Sequence, residues 1–203
     1  MGATLIFTFY LYLNGHYGTF EESFRVALFQ TTALSSSTGY GTADFLLWGP
    51  FAHVLIIVLM VVGGSAGSTA GGIKCVRAML MLKQGGRELK QLIHPNAVIS
   101  LKLGKESVSG KVTRAVFGFF FLYSLTLAVS SLALGAMGVD IVTAISATIS
   151  SLSNIGPGLG EVGPASNYAA LPDAAKLLLS FCMIVGRLEI LTVFVLFLPD
   201  FWK

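Results

Sequence analysis

Two short polar runs in this chain can do chemistry with main-chain oxygen. The first is Ser37-Thr38-Gly39-Tyr40-Gly41 and the second is Asn154-Ile155-Gly156-Pro157-Gly158. Each follows a short apolar run, residues 24–34 and 141–152. Neither apolar run reaches the roughly 20 residues that a membrane-crossing helix needs, so each reads as a helix that dips into a bilayer and stops. If such a helix enters from outside, its C-terminal end carries the negative pole of the helix dipole to the middle of the membrane. Backbone carbonyls of the following loop can then replace the hydration shell of a dehydrated ion. Glycine allows successive carbonyls to face one axis. Ser37, Thr38 and Asn154 can add side-chain oxygens. Neither run contains an acidic residue, which argues against a divalent-cation site built from carboxylates. A large, weakly hydrated monovalent cation fits better. The candidate ligands are Ser37, Thr38, Gly39, Tyr40, Asn154, Ile155, Gly156 and Pro157.

A third run, Gly63-Gly64-Ser65-Ala66-Gly67-Ser68-Thr69-Ala70-Gly71-Gly72-Ile73-Lys74, separates two apolar flanks at 51–62 and 73–82. Each flank is too short to cross alone, so the pair reads as one membrane helix broken in its middle. Broken backbone is tolerated at membrane depth only where it is buried in protein or lines a wet cavity, and such breaks commonly mark ion pathways. A rival reading is a small-residue packing face, because Gly63, Gly67 and Gly71 have GxxxG spacing. A nucleotide loop is a poor match: the lysine is displaced by one, Cys75 stands where Ser or Thr belongs, and no soluble strand precedes it. Arg187 lies in the apolar run 174–198. A mid-membrane Arg costs about 2.5–3.5 kcal/mol on insertion scales and must face protein or water. Arg187 and Glu189 can also form a structural pair near the inner interface, though residues two apart on a helix do not face each other. Lys74 can simply snorkel to the cytoplasmic surface.

These runs need apolar elements to hold them, and the composition supplies them. Of 203 residues, 54% are hydrophobic and only 11% charged, with a mean hydropathy of +0.78. Soluble domains carry about a quarter charged residues, so a polytopic helical membrane protein is expected. Nine of the 13 Lys and Arg fall in one stretch: Lys74, Arg77, Lys83, Arg87, Lys90, Lys102, Lys105, Lys111 and Arg114. The positive-inside rule places that stretch in the cytoplasm, and its position between membrane segments argues against nucleic acid as a partner. Gly85-Gly86 and His94-Pro95 are expected to break it. Residues 115–137 are a clear span, 174–198 another, interrupted by Arg187 and Glu189, and 5–13 the tail of a truncated helix. Cys75 and Cys182 suit no zinc or redox spacing. His16, His53 and His94 form no cluster, and no acid–base or nucleophile constellation appears, so neither an enzyme nor a catalytic cofactor is expected.

The order of span, short helix, polar glycine run and span occurs twice. Thr38 aligns with Ile155 and Ser37 with Asn154, inside the similar flanks TTALSSSTG and SATISSLSNIG. This predicts an internal duplication whose halves share one membrane orientation. The expected units are 1–82, a basic cytoplasmic connection 83–114, and 115–203.

Ser37-Thr38-Gly39-Tyr40-Gly41 resembles the filter of potassium channels. With GGSAGSTAGGIK, NIGPG and GRLEI, the chain resembles the Trk/Ktr/HKT superfamily of potassium transporters, most closely its bacterial Trk-type membrane subunits. The resemblance implies an all-α polytopic membrane protein whose membrane helix–pore helix–membrane helix units surround a pseudo-fourfold pore. Four such units make the family's pore; this chain carries two, which look like the third and fourth. It further implies potassium as transported substrate, a bacterial inner-membrane location and a transporter of the kind classed among symporters. Gating is implied at the loop holding Gly63, Gly64, Gly67, Gly71, Gly72 and Lys74, with Arg187 facing it. Implied partners are the missing N-terminal half or another pore-forming piece, a cytosolic nucleotide-binding regulatory subunit, a second copy of the membrane subunit, and the bilayer. The alternative is a membrane scaffold or regulatory fragment that conducts nothing, since two loops do not ring an ion.

Overall fold

The computed structural model describes residues 1–95, 97, 100–104 and 106–202. Lys105, counted in the basic stretch, lies outside the described residues. Among the described residues the secondary structure is helical apart from one hairpin of two-residue strands, β1 (Lys102–Leu103) and β2 (Glu106–Ser107). The first unit holds α1 (Gly2–Leu13), α2 (Phe20–Ser35), α3 (Pro50–Val62) and α4 (Cys75–Ile93). The second holds α5 (Gly110–Ala136), α6 (Ile141–Ser153), α7 (Asp173–Arg187) and α8 (Ile190–Val195). The mostly helical fold expected from the sequence is therefore present.

Local chemistry explains where the helices start. The Thr19 side chain accepts from the Glu22 N–H, Asp140 from the Val142 N–H, and Ser109 from the Val112 N–H. Each satisfies an amide that has no partner inside its helix. Pro50 opens α3, where its missing N–H costs nothing. The 27-residue α5 is long and apolar enough to cross a membrane, and only 22% of its most apolar window is buried. Phe121, Val129 and Leu132 are among its exposed side chains, as expected of a helix that meets lipid. α1, α3 and α6 are apolar but shorter, at 10–17 residues.

Two expectations about breaks fail. Gly85 and Gly86 lie within α4 and do not interrupt it; the helix continues to Ile93 and ends at His94, beside Pro95. An exposed glycine costs a helix only about 1 kcal/mol, whereas a proline restricts the residue before it away from helical geometry. The run 174–198 is not one continuous span. It breaks between α7 and α8, with Glu189 in the left-handed region at φ 63°. Both units thus have a broken second helix.

The core joins the two units. Phe7, Leu34, Phe45, Trp48, Ile56 and Met60 pack in one cluster with Ile149, Ile155 and Leu159 of the second unit. A second cluster sets Ile73 against Phe119, Tyr123, Leu152, Val185 and Ile190. The first holds Leu34 near the end of α2 and Ile155 of the second polar run; the other holds Ile73 at the end of the glycine-rich break.

Candidate ion-conduction site

α2 and α6 end in the same way, residue for residue. The Thr38 N–H donates to the Ala33 carbonyl at 3.0 Å, and the Ser37 N–H to the Leu34 carbonyl at 3.3 Å. In the second unit the Ile155 N–H donates to Ser150 at 3.0 Å and the Asn154 N–H to Ser151 at 3.1 Å. This is the paired bond of a Schellman cap, which requires a left-handed residue just past the helix. Ser37 (φ 56°) and Asn154 (φ 52°) fill that position. Asn tolerates it better than most residues, and its side-chain amide donates to the Met183 carbonyl at 3.2 Å. The Ser37 hydroxyl oxygen is buried without a hydrogen-bond partner, while Thr38 shares its hydroxyl with Ser36 at 2.7 Å.

The two filter runs touch. A Cβ on Gly39 would collide with the Ile155 carbonyl oxygen and sit 3.3 Å from the Pro157 ring. Gly39 has φ 74° as well, so both its backbone and its neighbour require the absence of a side chain. The first run is open to its surroundings, with Tyr40 72% exposed, while Ile155 is 4% exposed.

Beneath both runs lies the glycine-rich break, residues 63–74, non-helical throughout. GxxxG helix packing is therefore not what these glycines do. The ends of the loop are pinched together: the Ile73 N–H donates to Val61 at 3.0 Å and the Cys75 N–H to Gly64 at 2.9 Å. Between them the loop presses against the ends of both short helices. A Cβ on Gly71 would overlap the Ser153 carbonyl of α6, and one on Gly64 would lie 3.4 Å from the Ser35 carbonyl of α2. Gly63 and Gly72 take positive φ where the chain turns; Gly67 does so at the exposed tip. Arg187 reaches across and donates from Nη1 to the Thr69 carbonyl at 2.5 Å. The two residues share a cavity of about 200 Å³ with Gly71, Gly186 and Glu189.

Glu189 does not pair with Arg187. Its carboxylate takes Lys74 Nζ at 3.3 Å and Arg77 Nη2 at 3.2 Å, so Lys74 is engaged inside the protein rather than simply reaching for the membrane surface. Arg77 also lies 4.2 Å above the Phe119 ring, a cation–π contact. Lys74 and Glu189 each precede the second half of a broken helix and each has positive φ. Sequence reasoning missed this link. Its signal, a carboxylate and two cations at the two breaks, is scattered over more than a hundred positions.

Sequence reasoning also missed the hydroxyl stripe of α6. Thr143, Ser146 and Ser150 recur at helical spacing on one face. Thr143 Oγ1 accepts from the Glu161 N–H at 3.2 Å, Ser146 Oγ from the Leu159 N–H at 2.9 Å, and Ser150 Oγ from the Gly156 N–H at 3.1 Å. Ser146 also donates to the Leu159 carbonyl at 3.1 Å. The outgoing limb of the second filter run is thereby laced to its own short helix.

Comparison with known proteins adds an independent line. The family model described as TrkH, cation transport protein, matches residues 13–203. The chain is 42% identical over 199 residues to the Trk system potassium uptake protein TrkH of Salmonella typhimurium, covering 98% of this chain and 41% of that protein. It is 43% identical over 202 residues to TrkH of Halomonas elongata, covering 100% of this chain and 41% of that protein. A crystal structure of the potassium transporter TrkH from Vibrio parahaemolyticus superposes with a TM-score of 0.91 at 41% identity, over 99% of this chain and 42% of that one. The chain thus spans about two fifths of the length of the relatives it matches.

Proposed function

Because the chain belongs to the TrkH family of cation transport proteins, we propose that it supplies two of four quadrants of a potassium uptake pore in the bacterial inner membrane. Potassium is the transported substrate, and no catalytic step or catalytic cofactor is involved. The observation that carries this reading is the contact between Gly39 and the Ile155 carbonyl. It brings two duplicated helix ends and their main-chain oxygens to one place, where the negative poles of two helices favour a cation. Thr38, Gly39, Tyr40, Ile155, Gly156 and Pro157 offer backbone oxygens there, and Ser37 and Asn154 complete the two turns.

The 63–74 loop acts as the gate. It crosses directly under both helix ends, and Arg187 holds it through the Thr69 carbonyl. A guanidinium at that depth also repels a passing cation. Opening then requires the loop to leave Ser153 and the Arg187 bond to break. The 83–114 stretch faces the cytoplasm, where a nucleotide-binding regulatory subunit docks, and the membrane subunit pairs with a second copy. Nucleic acid is not a partner.

The remaining quadrants come from chain outside these 203 residues, a reading supported by their spanning two fifths of the relatives' length. The same fact favours the second reading, a non-conducting scaffold, for the chain taken alone. One experiment separates the two. The chain replaces the segment it matches in Vibrio parahaemolyticus TrkH, and rubidium uptake by proteoliposomes is compared for the chimera and the isolated chain. Uptake by the chimera only is expected; a chimera that inserts and assembles yet carries no rubidium would leave the scaffold reading standing.

A further inference from the structure

The loop that returns from the second filter run to α7 carries one half-buried aromatic residue, Tyr168, in a short turn whose preceding Asn167 caps the Ala169 N–H. Its hydroxyl donates to the Gly156 carbonyl at 2.7 Å. The Gly156 N–H, which belongs to the preceding peptide, donates to Ser150 Oγ at 3.1 Å. Gly156 has φ 117° and a Cβ there would meet nothing within 4 Å. One hydrogen bond holds each of the two peptides that flank its Cα. Burial pushes the Tyr168 phenol above its usual range, with a hydrogen bond from Ser150 acting the other way, so it stays a donor under physiological conditions.

The first unit has no matching device. Ile155 and Thr38 are 117 positions apart (155 − 38). At the same offset Thr143, Ser146 and Ser150 fall on Val26, Phe29 and Ala33, none of which carries a hydroxyl. There the return limb is held by Gln30, whose amide donates to the Ala43 carbonyl at 3.0 Å.

We propose that Tyr168 is a positioning residue for ion selectivity, its hydroxyl holding the Gly156–Pro157 peptide while Ser150 holds the adjoining Ile155–Gly156 peptide, the two together setting the oxygen cage of this quadrant. The inference rests on the permeation reading above. A carbonyl left to rotate adapts its distance to whichever cation enters, whereas a tethered one favours the cation that fits its fixed position. One neutral hydrogen bond sets the scale at about fivefold.

The test uses the chimera with Vibrio parahaemolyticus TrkH, reconstituted, with radioactive rubidium and sodium uptake measured side by side. Tyr168→Phe keeps the ring and removes the hydroxyl; it is expected to lower the rubidium-to-sodium ratio about fivefold while rubidium uptake persists. Ser150→Ala frees the adjoining peptide, whose carbonyl is that of Ile155, and is expected to shift the ratio in the same direction. Tyr17→Phe, which removes a hydroxyl bonded to the Trp48 indole rather than to either filter run, is the control and should leave the ratio alone. An unchanged ratio in both Tyr168→Phe and Ser150→Ala would overturn the proposal. So would an equal fall in both ions, which marks a merely structural role, or an equal shift in Tyr17→Phe. If Tyr168→Phe fails to insert, the Ser150→Ala ratio decides by itself. Absence of rubidium uptake by the unsubstituted chimera would instead overturn the permeation reading, and this inference with it.

Discussion

At the scale of single residues, Gly39 and Arg187 carry the sharpest expectations. Any side chain at Gly39 meets the Ile155 carbonyl, and the left-handed backbone adds about 1–2 kcal/mol for an L-residue. Gly39→Val is therefore expected to cut rubidium uptake by roughly tenfold or more, since each 1.4 kcal/mol is a factor of ten in rate. Uptake equal to the parent's, in protein that inserts normally, would contradict it. Arg187→Ala removes the Thr69 bond and the charge together. A hydrogen bond to a charged group contributes about 1.5–3 kcal/mol, so the loop should spend more time displaced and flux should rise several-fold; unchanged or lower flux counts against the gate. The glycines and Arg187 were legible in the sequence because each is a local exception to an apolar background. The left-handed Ser37 and the tethering Tyr168 were not, since a serine in a polar run and a tyrosine in a loop carry no pattern of their own.

At the scale of elements, the two broken helices are the main finding. The first break was legible because five glycines mark it. The second was fainter: residues 174–198 contain one glycine, Gly186, with the charges Lys176, Arg187 and Glu189, and the break is made by a left-handed Glu189 whose carboxylate is claimed by Lys74, just ahead of α4, and by Arg77 within it. Glu189→Gln should loosen the link between α4 and α8. Because the Glu189 side chain is 43% exposed, solvent screening limits the loss of stability to about 1 kcal/mol or less. A larger effect measured by thermal unfolding of the chimera would mean that the ion pairs are far better shielded. The α6 hydroxyls lie deeper. Ser146→Ala strands both the N–H and the carbonyl of buried Leu159, and an expected loss of about 1–3 kcal/mol follows from leaving buried polar groups unpaired. Ser150, Ser146 and Thr143 were readable only as small polar residues in a short apolar run. Their spacing is helical, but nothing in the sequence says that the partner is the chain's own filter limb. Gly85-Gly86 shows the reverse error, a strong local signal overridden by a helix that continues through it.

At the scale of the whole molecule, the repeat was the informative signal, because duplicated order predicts duplicated geometry. The matched caps at Ser37 and Asn154 give that geometry atom by atom. Orientation is testable separately. An epitope inserted at Gly104, in the turn between β1 and β2, should bind antibody only in inverted vesicles or permeabilised cells; labelling of intact cells would reverse the topology. The central claim is that main-chain oxygens of the two adjoining filter runs replace water around a monovalent cation. The most direct measurement is anomalous scattering from rubidium in crystals of the chimera. A peak within coordination distance of the Thr38 and Ile155 carbonyl oxygens is predicted. Rubidium bound elsewhere along the pathway, with none at those oxygens while uptake is intact, would contradict it.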